Sequence, residues 1–340
     1  MKITVLLSLL LLWSAATLAQ ASHEEGVQAF QRKDYNIAFS QPEATSDAGD
    51  VRGYPQLGIL YTEGCAITKD VGVSLRMIEK SAQVGNVVSM NILANLYFGE
   101  CGVEKNLVLA RDWARRSART KNVEGALLFY RSLLMDPSLQ YIENGKPNTS
   151  KYFQLAKRPA GERLLEIEGY DYLALAARLG HPTARVSLGA FYADNVGEEN
   201  NQKSLSILQS IPSLPPFLEG YKHRLLELQK LGTTLATVKL IRDAQITAMM
   251  ATYARANQWG KEKSEQCPAE KIKLQKMALS KPLTAAEYLP LAEPGMKTAY
   301  LMRGAWEETW TYDVCGREVA TQIAFQADGF GGAYFQASGK

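Results

Sequence analysis

The stretch LGILYTEGCAITKD, residues 57–70, returns 36 positions later as LANLYFGECGVEKN, residues 93–106. The register runs beyond these windows. Lys33-Asp34, Lys69-Asp70 and Lys105-Asn106 are equally spaced, Gly49-Asp50 maps to Gly85-Asn86, and Ser81-Ala82 maps to Ser117-Ala118. Self-similarity at such a period marks stacked supersecondary units. Each unit reads as two helices. Val71, Leu75, Ile78 and Ala82 form one stripe, Gly85-Asn86 breaks the helix, and Met90, Leu93, Ala94 and Tyr97 form the next. One hairpin cannot bury such a stripe alone, so several must stack. Leu57, Tyr61, Leu93 and Tyr97 occupy matching positions and are the expected packing residues.

These residues resemble the Sel1-like repeats, whose pattern is a helix ending in A-x-x-G-(H/N/D) followed by A-x-x-x-L-G-x-x-Y-x-x-G-x-G-V-x-x-D. SAQVGNVVSMNILANLYFGECGVEKN covers nearly all of it, and DAGDVRGYPQLGILYTEGCAITKD matches closely. A third copy, ALAARLGHPTARVSLGAFYADNVGEEN, places Leu188 and Tyr192 95 residues after Leu93 and Tyr97. Two departures stand out. Ala66 takes the place of a loop glycine, and the copy after Lys105 degrades, with Leu133 where Tyr97 would recur. Pro137, Asn144-Gly145, Pro147 and Pro159 then mark a loop insertion at 136–161 that shifts the phase.

The resemblance implies a mainly α fold, an α/α solenoid over residues 22–210. It precedes a helical cap over 211–289 and a small antiparallel β module over 290–340. In the last segment Trp306, Glu308, Trp310, Tyr312 and Val314 alternate with Glu307, Thr309, Thr311 and Asp313, which reads as a strand. Cys315-Gly316-Arg317 turns the chain into a return strand through Val319, Thr321, Ile323 and Phe325, and Gly332–Ala337 reads as a third. The string around Trp306, Trp310 and Cys315 resembles short C-terminal modules of exported bacterial proteins.

Residues 1–21 read as a signal peptide. Lys2 supplies the positive start, ITVLLSLLLLW the apolar run, and Ala19-Gln20-Ala21 the cleavage site. Export to the periplasm, or secretion, is the expectation, with no membrane span after cleavage. Such compartments favour disulfides, and four cysteines allow three connectivities. Cys65 and Cys101 share one loop position in adjacent repeats, and a Cys267–Cys315 bridge would support the small sheet, so these two pairs are favoured.

A formal net charge of +3 over 340 residues argues against a nucleic-acid partner, which calls for a concentrated basic field. His23, His181 and His223 show no metal-ligand spacing, and neither nucleophile-elbow, P-loop, dinucleotide nor SxxK/KTG motifs occur. No catalytic residue, cofactor or metal is expected. The charged feature that stands out is ARDWARRSARTK, which sets Arg111, Arg115 and Arg119 at i, i+4, i+8 with Arg116 beside them, a candidate partner-binding stripe.

Exported Sel1-like proteins of this size resemble immunity proteins that neutralise type VI secretion lipase or phospholipase effectors. The resemblance therefore implies a non-enzymatic chain with a protein partner, a toxin effector in the narrowest form. An envelope or exopolysaccharide assembly scaffold fits the same features. A ligand-binding or enzymatic role of the C-terminal module, through Trp306, Trp310, Glu307 and Glu308, is the competing class.

Overall fold

The computed structural model describes residues 25, 28 and 71–340, apart from 141, 144–145, 198, 258–266 and 339–340. The expected leader, the repeat copy carrying Leu57 and Tyr61, and Cys65 lie outside the described residues. The chain divides into two units, Met1–Asp136 and Pro137–Lys340.

The first unit holds α1 (Val71–Gln83), α2 (Val87–Tyr97), α3 (Leu107–Arg119) and α4 (Val123–Leu134). They pack in sequence order as antiparallel hairpins, with α2 also touching α4. An asparagine starts each of the last three. Asn86, Asn106 and Asn122 offer side-chain oxygens to the free N–H groups of the first turn. The seam is apolar and tight, with Ile78, Leu93, Leu96, Ala110, Ala114 and Phe129 buried. Between α3 and α4 the backbones come so close that a Cβ on Gly125 would collide with Ser117 Oγ. The polar exceptions are paired. Ser117 donates to Asn91 at 2.6 Å, and Asn91 donates to the capping Asn122 at 3.0 Å.

The second unit opens with the insertion, which is more than a loop. It carries a two-residue hairpin (β1, Ile142–Glu143; β2, Lys146–Pro147) and a short helix, α5 (Thr149–Ala156). Then come α6 (Leu164–Arg178), α7 (Pro182–Asp194), α8 (Asn200–Gln209), α9 (Pro216–Gln229) and α10 (Val238–Asn257). Four strands follow as an antiparallel meander in the order β3 (Ile272–Tyr288), β4 (Leu301–Val314), β5 (Arg317–Ala327), β6 (Ala333–Ser338). The sheet thus begins at Ile272, inside the segment that sequence assigns to a helical cap. β3 is the strand that alternation misses, because repeated register shifts against β4 break its period.

One face of the sheet packs on α10. Leu240, Ile241, Ala244 and Ala248 share a core with Met277, Trp306, Trp310, Tyr312, Ile323 and Phe325. Cys267 is bonded to Cys315, with Cα atoms 5.8 Å apart. Cys315 and Gly316 form the β4–β5 turn, both with positive φ, the backbone of a tight two-residue hairpin. Cys101 is also disulfide-bonded, and its expected partner Cys65 is outside the described residues. The β5–β6 turn docks closely, since a Cβ on Gly331 would overlap Asn195 Oδ1 and its φ is +80°.

Two glycine substitutions should act with opposite sign. Gly125→Ala forces α3 from α4 and should cost about 1–3 kcal/mol. Gly220→Ala, in α9 with nothing within 4 Å of the new Cβ, should gain roughly 0.5–1 kcal/mol through helix propensity. Urea midpoints of the two variants against the parent chain check both.

Candidate functional site

The basic helix α3 does not present its arginines as one stripe. A helix turns 100° per residue, so an i, i+4, i+8 row drifts 80° around the axis by its last member. Arg111, at the inner end of that drift, is buried. Its Nε donates to Ser132 Oγ at 3.1 Å and its Nη2 lies 2.5 Å from Asp136 Oδ2. It joins α3 to the end of α4 and is withdrawn from any partner. Arg115 is half-buried, its guanidinium 5.0 Å from the centre of the Phe129 ring. Arg116 and Arg119 are exposed on the last turn of α3, where cations also suit the helix dipole. Arg116 stacks 4.5 Å over Trp113 and reaches Asp112 at 3.0 Å. An exposed i, i+4 pair of this kind is worth only about 0.3–0.5 kcal/mol, so it holds Arg116 loosely.

The repeat tyrosines divide in role. In the first unit Tyr97 donates to Glu79 Oε1 at 2.7 Å, within its own hairpin. In the second unit Tyr192 faces the loop between β3 and β4, with its hydroxyl 3.2 Å from Gly295 O and 3.1 Å from Met296 Sδ. Leu93 is sealed in the seam, whereas Leu188 is half-buried and lines a cavity of about 200 Å³ beside that loop. The loop is gripped along its length. Asp171 accepts from the N–H groups of Ala292 (2.9 Å) and Glu293 (2.9 Å). Arg178 holds the Glu293 carboxylate through Nε (3.2 Å) and Nη2 (3.3 Å). Lys203 donates to Gly295 O at 3.1 Å and Asn200 to Ala299 O at 2.9 Å. Burial raises the Asp171 carboxyl above the usual range, against the pull of its two N–H donors. None of these partners was legible in sequence, because each contact spans about a hundred positions.

The C-terminal candidates are taken up by packing. Trp306 and Trp310 are 2% and 0% exposed, so they form no open platform for a ligand. Glu308 is 0% exposed between them. Its carboxyl accepts from Trp306 Nε1 (3.0 Å), Trp310 Nε1 (2.9 Å), Leu235 N (3.0 Å) and Thr234 Oγ1 (2.8 Å). Glu307 points the other way and pairs with Lys281 at 2.6 Å. The alternation of β4 reads correctly from sequence; the reason for an acid on its apolar face does not. Two indoles need acceptors when buried, and Glu308 supplies both.

The two described histidines make local contacts. His181 caps α7, its Nδ1 accepting from Ala184 N at 3.4 Å, and His223 lies 3.6 Å from Glu227 on the exposed side of α9. His23 is outside the described residues. Among the described residues no group of three His, Cys, Asp or Glu is placed to hold a metal ion, and no helix is long and apolar enough to cross a membrane.

No family model matches the sequence, and no curated protein does. Among solved structures the chain is similar to a Sel1 repeat protein from Oxalobacter formigenes. That likeness has 20% identity over 52% of this chain and 78% of the other, with a TM-score of 0.30. It is also similar to a protective antigen present in uropathogenic Escherichia coli strains that displays an SLR fold. There the identity is 19% over 72% of this chain and 64% of the other, with a TM-score of 0.29.

Three substitutions test this geometry. Burial, then the hydrogen bond and charge of Glu79, push the Tyr97 phenol up to about 12 from 10.0. The folded chain therefore keeps a proton that the unfolded chain releases. That contribution is complete below pH 10.0 and is lost as pH rises through about 12. Tyr97→Phe should remove this alkaline loss, so urea midpoints of parent and variant measured from pH 9 upward should converge. Glu308→Ala leaves two indole N–H groups buried and unpaired and should cost about 3 kcal/mol or more, while Glu307→Ala should stay within about 0.5 kcal/mol. Thermal unfolding of both compares them.

Proposed function

We propose that the chain is a non-enzymatic protein-binding solenoid exported to the periplasm. In its narrowest form it is an immunity protein that binds and occludes a type VI secretion lipase or phospholipase effector. The observation that carries the binding role is the division of labour on the repeat helices. On α3 the inward positions Ala110, Trp113, Ala114, Ser117 and Ala118 are buried, while Arg116 and Arg119 are exposed and the hairpin does not need them to pack. Affinity at such a surface comes from a few anchors, and arginines suit acidic, planar groups on a partner. The immunity form draws on the leader-like N-terminus, the repeats and the missing catalytic motifs. The competing reading through the C-terminal module loses three of its four candidates, because Trp306, Trp310 and Glu308 are taken up by the core, while Glu307 pairs with Lys281.

The test is capture from native envelope extract on tagged residues 22–340, with bound proteins identified by mass spectrometry. A single stoichiometric lipase, inhibited in ester hydrolysis by the added chain, is the expected result. Several envelope-assembly components would indicate a scaffold instead, and an empty column would remove the reading of α3 as a partner surface. Arg116→Glu with Arg119→Glu should weaken capture by about 10–100-fold at unchanged thermal stability. Arg111→Ala should instead lower stability, because it removes the buried bonds that tie α3 to Ser132 and Asp136.

A further inference from the structure

The loop joining β3 to β4 lies along α6, α7 and α8 as a bound peptide would. Its backbone makes most of the contacts. The N–H groups of Ala292 and Glu293 go to Asp171, Gly295 O to Tyr192 and Lys203, and Ala299 O to Asn200. Two side chains add selectivity: Glu293 on Arg178, and Met296, which is buried. Backbone bonds for affinity and a few side chains for selection are how proteins recognise extended segments.

The loop does not fill the surface it covers. A cavity of about 200 Å³ remains beside it, lined by Arg178, Arg185, Leu188, Tyr192, Pro294 and Met296 among others. Arg185 donates there to the Ser210 hydroxyl at 2.6 Å, and among the described residues no carboxylate lies within ion-pair distance of it. The groove therefore offers two guanidinium groups, and the loop brings a single carboxylate to them. Its other charged residue, Lys297, has the wrong sign.

We propose that the α6–α8 groove is a binding site for an extended acidic peptide segment of a partner protein, and that the β3–β4 loop is its resident occupant in cis. A segment with a second acidic residue satisfies Arg185 as well as Arg178, which the loop leaves undone. The cis loop competes at an effective concentration of about millimolar, so it sets a threshold that only a better-matched segment passes. This rests on the protein-binding role but names a site separate from α3.

The probe is a fluorescein-labelled peptide of the loop sequence LAEPGMKTA, followed by fluorescence anisotropy. The receptor is the full chain with residues 291–299 replaced by a Gly/Ser linker of equal length. That chain should bind the peptide, and the parent chain should bind it ~10-fold or more weakly because its own loop is in place. Arg178→Glu in the linker chain should abolish binding, and a peptide with Lys in place of its Glu should restore it. A linker chain that keeps its circular dichroism and cooperative melt yet does not bind overturns the proposal. Hydrogen exchange on the parent chain is a second test that needs no variant to fold. The amides of Ala292 and Glu293 should exchange ~100-fold or more faster than that of Trp310, by local opening. Exchange at the Trp310 rate makes the loop a permanent part of the core and overturns the proposal. Peptide binding alongside an empty envelope capture would keep the groove and remove the α3 reading; capture without peptide binding would do the reverse.

Discussion

Each helical hairpin in this chain leaves an apolar face that only a neighbour can cover, and the architecture follows from how that cover is supplied. In the first unit the cover is another hairpin. α3 packs on α2 and α4 on α3, with alanines and a glycine at the closest approach so that the backbones nearly touch. Asparagines recur at the turns because the same four N–H groups need an acceptor each time a helix restarts. In the second unit the run of hairpins gives way to a sheet. The loop between β3 and β4, rather than a further helix pair, closes the α6–α8 surface.

The sheet solves the same problem in another way. α10 covers one of its faces, and the two indoles at the centre bring polar N–H groups into the core. Leaving them unpaired would cost on the order of 1–3 kcal/mol each. Glu308 accepts from both indoles and ties them to the Thr234–Leu235 segment that leads into α10. One side chain therefore fixes strand, helix lead-in and core in a common position.

The parts legible in sequence are those with short periods. α1 and α2 follow from the 36-residue repeat and its Gly-Asn break, and β4 and β5 from alternation over one buried face. β3 is hidden because it is long, lies at the sheet edge and loses its phase at successive register shifts. Arg111 is misread because its partner Asp136 is 25 positions away. The groove contacts are more remote still: Asp171 meets Ala292 across 121 positions, and Tyr192 meets Gly295 across 103. No local pattern encodes such a pairing, although Pro294-Gly295 marks the turn on which it depends.

The Cys267–Cys315 bond encloses both β3 and β4 together with the loop that joins them, so this part of the chain is a covalent ring. A protease that cuts the exposed part of the loop releases no fragment. It opens the ring into two arms still fastened at the far end, each held in the sheet by its strand pairing. The nicked chain keeps every residue, gains one water, and becomes two pieces only when the disulfide is reduced.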